Sequence, residues 1–224
     1  MPEIRKITAD MLAGDPFHPG KQDFERGMSA APAFALALIA VNAAAFGWEL
    51  ATGALHSRQA IIAAGAIYGP KVFNGQGWRL VTGTFLHGGL GHLLGNCLAL
   101  YILGVASERA WGRGRALVIY FASGICASLA SAILQPMPAV GASGAIFGLL
   151  GASVVFFFRY GSSFYARNRR IGVVLLVWGL FQLALGALTP YVDNWAHLGG
   201  LLSGAALGAF LPSAMFEPSD EGAS

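Results

Sequence analysis

The run Ala139-Val140-Gly141-Ala142-Ser143-Gly144-Ala145-Ile146-Phe147-Gly148-Leu149-Leu150-Gly151-Ala152-Ser153-Val154-Val155-Phe156-Phe157-Phe158 carries no charged residue over its whole length. A transmembrane helix needs about 20 mostly apolar residues to cross a hydrocarbon core of about 30 Å, so the run reads as a membrane span. It follows the turn Pro136-Met137-Pro138 and ends at Arg159. A helix from Ser143 to Phe158 covers only about 24 Å at 1.5 Å per residue. The serine is therefore expected inside the membrane, at a helix N-terminus reached through a water-filled cavity.

Five further segments of this kind lie at 31–53, 85–106, 116–135, 171–188 and 194–212. The expected fold class is all-α, a polytopic membrane protein built as a six-transmembrane-helix bundle. Composition agrees: 55% of residues are hydrophobic and 11% charged, with a mean hydropathy of +0.60, outside the range of soluble globular domains. The Lys and Arg residues collect between the apolar runs, so the net charge of +3 speaks of lipid headgroups. No basic patch points to nucleic acid. Residues 1–29 read as a short cytosolic leader without the apolar core of a signal peptide, residues 30–212 as the bundle and 213–224 as a short cytosolic tail. Cys97 and Cys126 lack the spacing of a zinc site or disulfide framework and are expected as small buried hydrophobes. The long connection Thr52–Thr84 mixes His56, Arg58, Lys71, Trp78 and Arg79 with apolar residues and is expected to lie in the interface as amphipathic pieces.

Counting Lys and Arg on the two sides of this scheme gives eleven (N-terminus and the 107–115 and 159–170 loops) against three in the long first loop. The positive-inside rule then places both termini in the cytoplasm. The second, fourth and sixth spans run inward from the outer face, and their first residues share one depth. Polar residues rare in hydrocarbon gather there: His87, His92 and Asn96 on the second span, Ser143 on the fourth, Asn194 and His197 on the sixth. Such intramembrane groups are candidate functional sites. Gly144, Gly148 and Ala152 on the fourth span, and Gly200, Gly204 and Gly208 on the sixth, repeat every four residues and allow two helix backbones to approach closely.

A serine hydroxyl needs a base to become a nucleophile, and His197 is the one histidine in the later part of the bundle. The second to fifth spans hold no Asp or Glu, and Asp193 sits at the start of the sixth. A Ser143/His197 dyad is expected, with the histidine oriented by packing on Phe147, one turn below Ser143. Gly141 and Gly144 leave backbone freedom and space for a substrate chain. His92 and Asn96, four residues apart, share one helix face and offer N–H donors. With the Ser143 amide they are assigned to an oxyanion hole.

These residues fall into motifs. Gly141-Ala-Ser-Gly144 resembles the GxSG nucleophile motif of the rhomboid intramembrane proteases, Ala196-His197-Leu198-Gly199-Gly200 their AHxxG motif, and His92-Leu-Leu-Gly-Asn96 their HxxxN motif. Trp78-Arg79 is similar to the family's WR pair, a structural element of the long first loop. The four stand in order between residues 30 and 212. The resemblance implies a six-helix serine endopeptidase, and the high Ala and Gly content with no targeting segment gives a bacterial inner membrane as the expected location. The resemblance further implies a Ser143 nucleophile, a His197 base, and cleavage of single-pass transmembrane substrates near the outer surface with no metal or organic cofactor. Phe147 stands where many members have tyrosine. Trp78 and Arg79 are read as structural, an aromatic-belt ring and a snorkelling cation, and His87 as a structural interface group. The alternatives are a weak or inactive rhomboid-like protein that binds membrane clients and, with less support, a metalloprotease using His87, His92 and His197. The latter lacks the H-E-x-x-H arrangement. Internal repeats or a charged pathway, as expected of a transporter, are not evident.

Overall fold

A computed structural model describes residues 20–216; most of the expected leader and all but the first four residues of the expected tail lie outside them. The described residues form helices and contain no β-strand, only two isolated bridges. Helix α1 (Ala33–Thr52) ends on Gly53 in the left-handed region. Short helices α2 (Arg58–Ala64), α3 (Gly69–Val72) and α4 (Arg79–Thr82) fill the long connection, followed by α5 (Leu90–Leu134), α6 (Ser143–Arg159), α7 (Ala166–Leu188) and α8 (Asn194–Phe210). Helices α1, α5 and α7 are long and apolar enough to cross a membrane. The shorter α6 and α8 have 17 residues each.

At 45 residues, α5 would extend about 68 Å if straight, more than twice a hydrocarbon core. Gly112, at φ 72° and ψ 169°, breaks it into halves 90–111 and 113–134. The expected loop at 107–115 is thus mostly helix with a one-residue corner. Arg113 pairs with Glu108 across it at 2.7 Å, and the carbonyl of Ala110 accepts from the Ser213 hydroxyl at 2.7 Å and the Ala214 amide at 2.9 Å. Ser213 is buried, so residues 213–216 still pack on the bundle. At the same end the ring of Phe24 enters a cluster with Phe156, Phe157 and Phe164, and Asp23 pairs with Arg167.

Helix α6 is the centre of the bundle, packed on α5, α7 and α8, with Ala145, Leu149, Leu150, Ala152 and Phe156 buried. Its contact with α8 is backbone on backbone. A Cβ at Gly200 would strike the carbonyl of Gly144, one at Gly204 the carbonyl of Gly148, and one at Gly208 would come within 2.7 Å of the Ala152 Cα. The two four-residue small-residue repeats therefore face each other. Two expectations change. Helix α5 starts at Leu90 rather than 85 because Gly88-Gly89 intervene, so His87 precedes the helix, fully buried. Cys126 is exposed and Cys97 half-buried; an apolar residue of a membrane helix can face lipid rather than the protein interior.

Candidate active site

The approach to Ser143 is pinned by the long connection. Arg79 is buried, against the expectation of a snorkelling cation. Its guanidinium donates to the carbonyls of Ile62 at 2.6 Å and Ala66 at 3.1 Å and to Gln76 Oε1 at 2.7 Å, and lies 4.6 Å from the ring of Trp78, which is exposed. These carbonyls belong to the end of α2 and the turn after it; Ile62 also accepts from the Gly65 amide at 3.2 Å, and Arg79 supplies the further donors that the end of a helix lacks. Ile67, next to Ala66, exchanges two backbone hydrogen bonds with Ala139 at 2.9 and 2.8 Å, and the Gly141 amide donates to Gly83 at 2.9 Å. Residues 139–141 are thus tied down before α6 begins. Gly141, at φ 125°, makes the turn into the helix.

Ser143 is the first residue of α6. Its amide and the two that follow precede the first intrahelical bond, made by Ile146 to Ala142, so they are free donors at the positive end of the helix dipole. His197 lies in the first turn of α8, which Asp193 caps by accepting from the Ala196 amide at 3.0 Å. The close packing of Gly144 on Gly200 brings the two together: Ser143 Oγ is 2.9 Å from His197 Nε2. The ring of Phe147 stacks on that of His197 with centroids 4.2 Å apart and planes 9° from parallel. His197 Nδ1 is buried without a hydrogen-bond partner among the described residues, and so is Asp193 Oδ2. The carboxylate caps a helix; no bond joins it to the imidazole.

His92 and Asn96 converge on the same place. A Cβ built on Gly141 would lie 2.8 Å from His92 Nε2 and 3.5 Å from Asn96 Nδ2, so only glycine fits there and both donors border the turn two residues before Ser143. Asn96 is buried and its Nδ2 has no partner among the described residues. His92 is exposed, and its Nδ1 accepts from the Gly88 amide at 3.4 Å; an acceptor at Nδ1 leaves the proton on Nε2. All seven candidate residues, Gly141, Ser143, Gly144, Phe147, His92, Asn96 and His197, thus fall in one locality. His87 adjoins one of them: its ring meets that of His92 edge to face at 5.2 Å.

A rhomboid domain model matches residues 74–214. The chain is 38% identical over 204 residues to the rhomboid protease GluP of Bacillus subtilis, an alignment covering 87% of this chain and 39% of that protein. The chain belongs to the rhomboid family. Among plant rhomboids, RHOMBOID-like protein 2 of Arabidopsis thaliana is 43% identical over 137 residues, 61% of this chain and 43% of its own length. RHOMBOID-like protein 4 is 42% identical over 144 residues, 63% of this chain and 36% of its own. The chain thus spans less than half the length of each of these rhomboid relatives. The rhomboid domain match includes His87, His92, Asn96, Ser143, Phe147 and His197 and leaves out α1.

Helix α1 nevertheless supplies a residue that sequence reasoning passed over. Glu49 is fully buried, and its two carboxylate oxygens accept from the His87 amide at 3.1 and 3.0 Å. The available signal was a single acidic residue in an otherwise uncharged span. It lay near the end of the run, where a carboxylate reads as an interface group.

Proposed function

We propose that this chain is an intramembrane serine endopeptidase that cleaves transmembrane substrates by acyl transfer, with Ser143 as nucleophile and His197 as base. The observation that carries the reading is the 2.9 Å approach of Ser143 Oγ to His197 Nε2 at a helix start bordered by unpaired N–H groups. In the proposed cycle the Ser143 hydroxyl donates to His197 Nε2 as Oγ attacks the substrate carbonyl. The proton then passes from the imidazolium to the leaving amine. Oxygen that becomes negative in the tetrahedral intermediate is held by His92 Nε2, Asn96 Nδ2 and the Ser143 amide, and such donors are each worth about 10²–10³ in rate in serine hydrolases. Water then attacks the acyl-enzyme as His197 takes its proton, and His197 returns that proton to Ser143 Oγ as the acid product leaves. The parallel ring of Phe147 orients the imidazole in place of a third, acidic member.

The same reading takes the chain across the bilayer six times, through α1, the two halves of α5, α6, α7 and α8, with the broken corner at Gly112 on the cytoplasmic side. The excess of Lys and Arg at the N-terminus and in the 107–115 and 159–170 segments supports cytoplasmic termini in a bacterial inner membrane. Ser143 then faces the outer half of the bilayer, and single-pass transmembrane proteins are its substrates. Cleavage of a tagged single-span substrate in membranes tests this. Wild type should cut it, while Ser143→Ala and His197→Ala should not. Equal processing by all three removes the dyad, and binding without cutting by wild type favours a client-binding, inactive rhomboid.

A further inference from the structure

We propose that Glu49 is a positioning residue for the oxyanion donor His92, acting through the backbone of the 85–89 turn. The inference rests on the serine-protease reading for its kinetic consequence, and on geometry for its physical one. Glu49 lies in the last turn of α1 with no exposed surface. A carboxylate in an apolar bundle is costly to bury unless hydrogen bonds hold it. Both of its oxygens are directed at one donor, the His87 amide, in a three-centre bond. That bond fixes the peptide plane entering His87. The next amide along the chain, Gly88 N–H, donates to His92 Nδ1 at 3.4 Å.

The two amides share the Cα of His87, so an error in the first is passed to the second. His87 is fixed independently: Nδ1 lies 3.1 Å from the carbonyl of Phe85, and its ring edge braces that of His92. The Gly88 bond performs two tasks. It sets the rotation of the His92 ring so that Nε2 faces Gly141, and by occupying Nδ1 with an acceptor role it keeps the proton on Nε2. Without Glu49 the His87 amide is a buried donor seeking another acceptor, and the turn can rotate away from His92. The substrate need not touch Glu49 for its loss to be felt in the transition state.

The test compares full-length wild type, Glu49→Leu, Glu49→Gln, His92→Ala and the Glu49→Leu/His92→Ala double variant, reconstituted in lipid. Leucine fills the space without an acceptor; glutamine keeps a carbonyl oxygen for the His87 amide. For cleavage of a single-span substrate, Glu49→Leu should lower kcat by about 10- to 100-fold, as expected of a donor displaced by about 1 Å, with KM changed less than about 2-fold. Glu49→Gln should stay within about 3-fold of wild type. The double variant should be no slower than His92→Ala by more than about 2-fold, because residues acting in one chain are not additive. Nitrogen-15 spectra of labelled histidine add a readout independent of activity: His92 should be a single Nε2–H tautomer in wild type and a mixture in Glu49→Leu. A folded Glu49→Leu with wild-type kcat and tautomer, or a double loss equal to the product of the single ones, overturns the proposal. If leucine prevents folding, Glu49→Met is read in the same way. Failure of wild type to cleave would count against the protease reading alone, since the tautomer measurement still decides the role of Glu49.

Discussion

Replacing Gly200 by alanine should separate chemistry from folding in this bundle. The added Cβ would overlap the Gly144 carbonyl, and the Gly144 Cα would lie 3.4 Å from it, so the clash is with backbone that no rotamer change can relieve. Helix α8 must retreat from α6 by about 1.4 Å to take the Cβ from 2.0 Å of the Gly144 oxygen to an ordinary contact of about 3.4 Å. His197 is one turn before Gly200 and Ser143 adjoins Gly144, so the retreat opens the 2.9 Å Ser143–His197 pair to about 4.3 Å, beyond hydrogen-bond range. A displacement of that size costs about 10²-fold in rate, while overpacking costs about 1–3 kcal/mol of stability, which a bundle of this size can survive. The assay is initial-rate cleavage of a single-span substrate in liposomes at a temperature well below the measured melting point of the variant. Gly47→Ala is the control: nothing lies within 4 Å of its added methyl, so activity should be unchanged and stability equal or higher by up to about 1 kcal/mol. A folded Gly200→Ala enzyme with wild-type rate would refute the claim that the α6–α8 backbone contact sets the dyad distance.

Four other outcomes follow from the geometry. His92→Ala and Asn96→Ala should each reduce kcat by about 10²-fold with little change in KM, measured on the same substrate, since each removes one of the proposed oxyanion donors. Phe147→Leu should lower kcat by about 3- to 10-fold through loss of ring stacking, worth about 0.5–1.5 kcal/mol, whereas Phe147→Tyr should retain activity. Arg79→Leu leaves the Ala66 carbonyl and Gln76 Oε1 without their donor, while Ile62 keeps the Gly65 amide, and should lower stability by about 1–3 kcal/mol, read by thermal unfolding in detergent. Arg79→Lys, which can reach fewer of the three acceptors at once, should fall between. Treatment with a chelator should leave cleavage unchanged, because no step of the proposed chemistry uses a metal.

The helices were legible because charge is scarce within the apolar runs and concentrated between them, a pattern that a hydrocarbon surround enforces. The candidate site was legible for a related reason: Ser143, His197, His92 and Asn96 are polar where hydrocarbon disfavours polarity, and the structure brings these residues close together. The facing glycine repeats were visible as spacing, and the backbone clashes at Gly200 and Gly204 give that spacing a physical cause. What escaped depends on backbone detail. Arg109, Gly112, Arg113, Gly114 and Arg115 have the composition of a loop, yet helix continues on both sides of a single glycine. Arg79 read as an exposed cation because its acceptors, the carbonyls of Ile62 and Ala66, exist only once α2 has stopped. Glu49 and His87 are 38 residues apart, and no periodicity connects a side chain on one helix to an amide in a distant turn.

The identity of the nucleophile separates a serine protease from a client-binding rhomboid most directly. Wild type treated with a serine-reactive phosphonate and mapped by peptide mass spectrometry should carry one adduct, on Ser143, and His197→Ala, with the base gone and the fold kept, should label at least about 10²-fold more slowly. An unlabelled but folded wild type, an adduct on another residue, or equal labelling rates in wild type and His197→Ala would contradict the serine-protease reading.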